Sequence, residues 1–186
     1  VESAARRLAL IVESSSEAII GMTLDRVITS WNRAAEEMYR YPAADVLGQS
    51  IDLIIPAEQG EEFANCLEEL RQGRKCAPFE TARVTRDGER LDVLLSVSPV
   101  FDDSGRLIAV SSIGRNITDR KRAERHLQLV MAELNHRVKN TLASIDAIAH
   151  QTARHSENME EFQQAFSQRL RALAHAHNLL TKTQWE

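Results

Sequence analysis

Cysteine is nearly absent: Cys66 and Cys76 are the two in 186 residues, too few for a disulfide scaffold and at no zinc-ligand spacing. Both are expected to be reduced thiols of a cytoplasmic chain, with Cys66 serving as small apolar filling on a helix. Long apolar runs are missing too. None approaches the roughly 18–20 residues that span a bilayer, so no membrane contact is expected. The opening stretch ESAARRLALIVE lacks the pattern of a secretory leader. Position 1 is Val rather than Met, and the chain is expected to be a piece of a longer protein. No glycine-rich phosphate loop occurs anywhere, so no nucleotide site of that kind is expected here. Aromatic residues make up only 5% of the chain, and its hydrophobic content of 43% is ordinary for a globular protein.

The net charge of −4 is small but unevenly placed. Residues 1–119 carry 13 basic and 20 acidic side chains, whereas residues 120–186 carry 10 and 7. Two solvated surfaces account for this, and so does a basic second half that meets something anionic. The basic residues are scattered without an aromatic platform, so nucleic acid is not the expected partner.

What is present changes in texture near Asp119. Before it, AIIGMT (18–23) and VITSW (27–31) read as strands joined by Leu24-Asp25-Arg26. NRAAEEMY (32–39) has helical composition, with Asn32 placed to cap it. Pro42, Gly48 and Pro56 punctuate short helical turns, and EQGEEFANCLEELRQG reads as a longer helix ending before Gly73. FETARVTR (79–86) leads through the Asp87-Gly88 turn signal into RLDVLLSVSPVF (90–101). DDSG (102–105) then turns the chain into RLIAVSSIGRNIT (106–118). Five strands interrupted by small helices predict an α+β module, an antiparallel sheet with helices on one side.

This order, with ITSWNRAAEEMYRYPAADVLGQSI (28–51) and the ending GRNITDRKRAE (114–124), resembles a PAS domain. Such endings usually read Asp-Ile-Thr; here Asn116 stands in place of the acid. The resemblance implies a sensor and leaves its ligand unknown, because PAS domains hold flavin, haem, small metabolites or nothing. The photoactive LOV subgroup places a reactive cysteine three residues after the glycine that ends a short helix. Counting from Gly48, that position is Ile51, with Ser50 where Asn would stand, and Asn65-Cys66 falls about 15 residues too late. LOV-type flavin photochemistry is therefore not expected. Haem usually takes an axial histidine, and residues 1–119 contain none.

From residue 119 onward there is neither proline nor glycine. Leu127, Val130, Leu134, Val138, Leu142, Ile145, Ile148 and Thr152 step by three and four, predicting a helix of about 36 residues, or about 54 Å. After a polar break at HSEN (155–158), Phe162, Phe166, Leu170, Leu173, His177 and Leu180 form a second stripe. The expected fold is an all-α helical hairpin that buries its stripe in a four-helix bundle with a second copy. His136 lies about 200° from the stripe and so projects outward. Asn140 and Glu133 share its face, with Arg137 and Lys139 flanking. The other histidines give no metal site: His175 and His177 point to opposite sides, His150 lies about 21 Å from His136 along the helix, and His126 and His155 read as surface residues.

HRVKN (136–140) followed by TLASIDAIA is similar to the phosphoacceptor box of the HWE family of sensor histidine kinases, and FSQRLRALAHAHNLLTKTQWE (166–186) is similar to that family's second helix. The resemblance implies that His136 accepts a phosphoryl group from ATP through Nε2, an imidazole of ordinary pKa about 6.5 being substantially neutral in the cytosol. Catalysis of such a transfer rests on positioning and charge stabilisation. Arg137 and Lys139 are expected to contact the phosphoryl group or an acidic response regulator. Glu133 is expected to orient the ring, since larger kinase families use an acid after the histidine and this chain has Arg137. Asn140 occupies a spacing that positions water for dephosphorylation in related kinases. The implied partners are a response regulator, an ATP- and magnesium-binding domain absent from this chain, and a second copy, although some members of the family are monomers. The expected organisation is an N-terminal helix (1–13), a sensor (14–118), a helical signalling linker (119–134) and dimerisation and phosphotransfer helices (135–186). Without its ATP-binding domain the chain is expected to be inactive alone. The competing expectation is a PAS-based dimerisation adaptor whose His136 no longer reacts.

Overall fold

A computed structural model describes residues 2–182, with side-chain surroundings given for 6–175. The side chains of His177 and Leu180, and Trp185 and Glu186 entirely, lie outside the described residues. The chain divides into two compact units, the first ending at Ala123 and the second starting at Glu124. No helix among the described residues is long and apolar enough to cross a membrane.

The first unit opens with α1 (Glu2–Glu13) and two antiparallel strands, β1 (Ala18–Thr23) and β2 (Ile28–Trp31). Then come α2 (Arg33–Tyr39), α3 (Ala43–Val46), two 3₁₀ turns (Ile51–Ile54 and Ala57–Gln59) and α4 (Gly60–Arg71). β3 (Phe79–Val84), β4 (Arg90–Phe101) and β5 (Leu107–Asn116) complete a five-stranded antiparallel sheet of order β2-β1-β5-β4-β3. The first and last strands in sequence thus lie side by side at its centre, Ala18 opposite Gly114. Period-two alternation decides which face is covered. Ala18, Ile20 and Met22 of β1, Leu91, Val93, Leu95 and Val97 of β4 and Val110 of β5 are buried. They meet Ala35 and Tyr39 of α2, Val46 of α3, Ile51 and Ile54, and Phe63, Cys66, Leu67 and Leu70 of α4. On the other face Ile113 of β5 is exposed.

Asn32 does more than cap. Its Oδ1 accepts from Ala35 N at 3.0 Å, closing the first turn of α2, and from Ile19 N at 2.9 Å. Its Nδ2 donates to Val12 O at 2.9 Å and Glu17 O at 3.1 Å. One buried carboxamide therefore ties the end of α1, β1 and α2 together, with each of its four hydrogen-bonding directions used.

The cysteines depart from expectation. Cys66, buried on the core side of α4, and Cys76, half-buried in the following loop, are joined as a disulfide rather than standing as free thiols. Their Cα atoms are 5.5 Å apart, within the separation that a bridge requires. Gly73, with φ +73°, turns the chain back past the helix end and brings Cys76 alongside Cys66.

The second unit is two helices. α5 (Thr118–Arg154) starts in the first unit and runs 37 residues without interruption; α6 (Met159–Lys182) follows the expected polar break. Phe162 and Phe166, one turn apart, stack with ring centroids 5.5 Å apart. Thr152, buried at the end of the α5 stripe, accepts from Arg169 Nη1 of α6 at 3.1 Å. The earlier part of the stripe is open: Leu127, Leu134, Val138 and Leu142 are each more than half exposed.

Candidate functional site

His136 sits at the middle of α5, on a fully exposed stretch of helix. The four-residue spacing brings Asn140 over the ring, with its Nδ2 3.5 Å from His136 Nδ1. Glu133, expected to orient the ring, is engaged elsewhere: its carboxylate accepts from Arg137 Nε at 2.8 Å. The Arg137 guanidinium holds Glu133 below the usual carboxylate range, and His136 adds to the effect. Helical spacing explains the exchange of roles. Glu133 and Arg137 are four apart and oppositely charged, so they pair with each other in preference to the imidazole. Asn140 takes the place beside the imidazole that was assigned to Glu133. Lys139 is exposed beside these groups and makes no ion pair among the described residues. The arrangement presents an exposed imidazole with Arg137 and Lys139 beside it on an open helix surface.

The head of α5 is held by the sheet. Asn116 Oδ1 accepts from Thr118 N at 2.9 Å, so the amide oxygen serves as the helix-starting acceptor where an acid is usual. Thr118 Oγ1 accepts from Asp92 N of β4 at 2.9 Å, and Ile117 N donates to Asp92 O at 2.9 Å. Glu80 of β3 binds Arg120 at 2.8 Å and Lys121 at 2.7 Å. Lys121 and then Arg120 hold the Glu80 carboxyl below its ordinary range. Sequence reading did not find this clamp, because Glu80 and Lys121 are 41 positions apart and carry no local signal.

In the first unit, Ile51 is buried in the core at the start of a 3₁₀ turn, after Gly48 at φ +81°. A surface cavity of about 940 Å³ lies where the end of α1 meets α2 and β5, lined by Glu13, Arg33, Glu37, Met38, Arg115 and Asn116. Sequence reading had not located it. No group of three metal-ligating side chains converges among the described residues.

Residues 16–119 match the family model described as PAS domain, and residues 133–186 match that described as HWE histidine kinase. The blue-light-activated histidine kinase of Brucella ovis is 43% identical over 76 residues, covering 41% of this chain and 16% of that protein. The blue-light-activated histidine kinase of Brucella anthropi is 40% identical over 81 residues, covering 44% of this chain and again 16% of the relative. The chain therefore spans only about a sixth of the length of these relatives. Among solved structures, the PAS domain of a Colwellia psychrerythraea protein aligns with a TM-score of 0.59 at 18% identity, covering 62% of this chain and 98% of that one. An RNA-binding light-oxygen-voltage receptor aligns with a TM-score of 0.60 at 20% identity, covering 69% and 37%. At these identities the likeness is one of fold.

Proposed function

The chain belongs to the PAS-containing histidine kinases of the HWE family, and on that premise we propose that it is the sensing and phosphoacceptor part of a cytoplasmic two-component kinase. His136 is the phosphoacceptor. Its Nε2 attacks the γ-phosphorus of ATP held by a separate catalytic domain; an N–P bond forms and the P–O bond to ADP breaks. The phosphoryl group then passes to an aspartate of a response regulator. The observation that carries this reading is the exposed His136–Asn140 pair with Arg137 and Lys139 beside it, inside the matched HWE segment.

Attack through Nε2 needs the neutral ring's proton on Nδ1. Asn140 supplies the means. A half-turn of its carboxamide places Oδ1 where Nδ2 now stands. Nδ1–H then donates to Oδ1 and the Nε2 lone pair faces outward. Arg137 and Lys139 neutralise charge on the transferring group. The exposed stripe of Leu127, Leu134, Val138 and Leu142 supports association with a second copy. Residues 119–134 act as the signalling helix, with the Glu80 clamp passing sheet movement into α5.

Light is the stimulus in the relatives' names. In this chain Ile51 fills the adduct position and both cysteines are bonded to each other, so we expect no cysteine–flavin photoadduct. Dark-stable flavin binding is compatible with this reading; a light-induced, slowly recovering loss of flavin absorbance refutes it.

The kinase reading is tested with the full-length protein and γ-labelled ATP. Wild type is expected to gain an acid-labile, base-stable label that His136→Ala abolishes and Asn140→Ala slows. Label persisting in His136→Ala refutes the assignment. No label in a folded wild type favours the adaptor reading.

A further inference from the structure

The cysteine pair has a setting that a purely structural bridge would not need. Cys66 is 3% exposed among Phe63, Leu67 and Leu70. Cys76 is half-buried and lines a cavity of about 370 Å³ with Leu70, Arg74, Lys75, Val97 and Phe101. One sulfur is thus shielded and the other is reachable, with two cations immediately before it in the chain. Reactive cysteine sites share this combination of partial access and positive surroundings.

The bridge is also the tether of its loop. Gly73 N and Arg74 N still bond to Leu70 O and Glu69 O, but residues 75–78 make no backbone–backbone hydrogen bond among the described residues. β3 begins directly after, at Phe79, and its second residue is Glu80, which grips Arg120 and Lys121 at the head of α5. Cys76 therefore stands four residues from the contact that joins sheet to helix.

We propose that Cys66–Cys76 is a thiol–disulfide exchange site through which the redox state of a small anionic thiol, of the glutathione class, sets the hold of β3 on α5. Arg74 and Lys75 draw the anionic thiol to the cavity. Its thiolate attacks Cys76 Sγ; the Cys66–Cys76 bond breaks, and Cys66 Sγ leaves with the electron pair and takes a proton. A second thiol reduces the mixed disulfide. The sum is two small thiols oxidised to their disulfide and two protein thiols formed, and oxidised small disulfide drives the reverse. In the reduced state residues 75–78 lose their tether, and the start of β3 and the Glu80 clamp loosen. The proposal stands on the sensor unit alone and does not depend on phosphorylation of His136.

The test uses the purified chain in glutathione buffers stepped from fully reduced to fully oxidised. Acid quenching and alkylation count free thiols by mass, and hydrogen exchange reports on 75–82 and on the first turn of α5. The pair is expected to titrate reversibly, with transient glutathione mapped to Cys76. Exchange at 75–82 and in the first turn of α5 should rise several-fold on reduction. Cys76→Ser, a change at a half-exposed loop position that should not impair folding, should show the reduced pattern in every buffer. A pair that stays oxidised or reduced throughout overturns the proposal. So does an adduct on Cys66, or exchange in either segment that ignores the redox state.

Discussion

Tyr39 offers the sharpest quantitative test of the sensor core. It lies at the end of α2, 1% exposed, with its ring 5.4 Å from that of Trp31. Its hydroxyl packs over β5, where a Cβ added to Gly114 would fall 3.2 Å away. Burial pushes the phenol pKa up from 10.0 to about 12, against the opposing pull of Arg83. The folded state therefore holds the proton more tightly than the unfolded chain, whose phenol titrates near 10. Stability from this source is fully present below pH 10 and is lost as the pH rises through 10 towards 12. Two units correspond to about 2.7 kcal/mol in full, of which about 1.4 kcal/mol is gone by pH 11. Urea unfolding of wild type and Tyr39→Phe at pH 8, 10 and 11 measures it. The difference between the two proteins isolates Tyr39. The variant loses no hydrogen bond among the described residues and should match wild type at pH 8, then gain on it by about 1.4 kcal/mol at pH 11. Parallel curves up to pH 11 would refute the argument that burial controls this phenol.

Asn32→Ala should destabilise the sensor by about 3–5 kcal/mol, because it orphans buried partners on α1, β1 and α2 together; a loss near that of a lone cap, about 1 kcal/mol, would show that the network does not act as one. Glu80→Gln should raise hydrogen exchange in the first turn of α5 at neutral pH. Glu80 has a depressed carboxyl pKa, so the wild-type clamp holds above the ordinary carboxylate range and should release as pH falls through the lowered value; an α5 head indifferent to both changes would remove the clamp from the signalling route. Because α5 is continuous from Thr118 past His136, seven residues inserted after Arg122 restore helical phase to within about 20° and should keep regulated autophosphorylation in the full-length kinase. Two inserted residues turn the helix by about 200° and should abolish or invert it; activity blind to phase would mean a flexible tether.

Local chemistry by itself determined most of the elements. Alternation marked β1, β4 and β5, and the positive-φ glycines Gly48, Gly73, Gly88 and Gly105 stand at turns that the sequence announces. Helical phase placed His136 outside and the stripe on the opposite side, since a 3.6-residue repeat is a property of the chain alone. Asn32 was legible as a cap for the same reason. Its bonds to Val12, Glu17 and Ile19 were not, because they depend on how α1 and β1 return beside α2. Glu133 illustrates the limit even within one helix: spacing named its face, and the choice between His136 and Arg137 was made by charge in three dimensions. Tertiary structure alone paired Cys66 with Cys76, set β1 against β5 across more than 80 residues and brought Glu80 to Lys121. Contacts between distant segments leave no periodic trace in a sequence; packing on a shared core decides them.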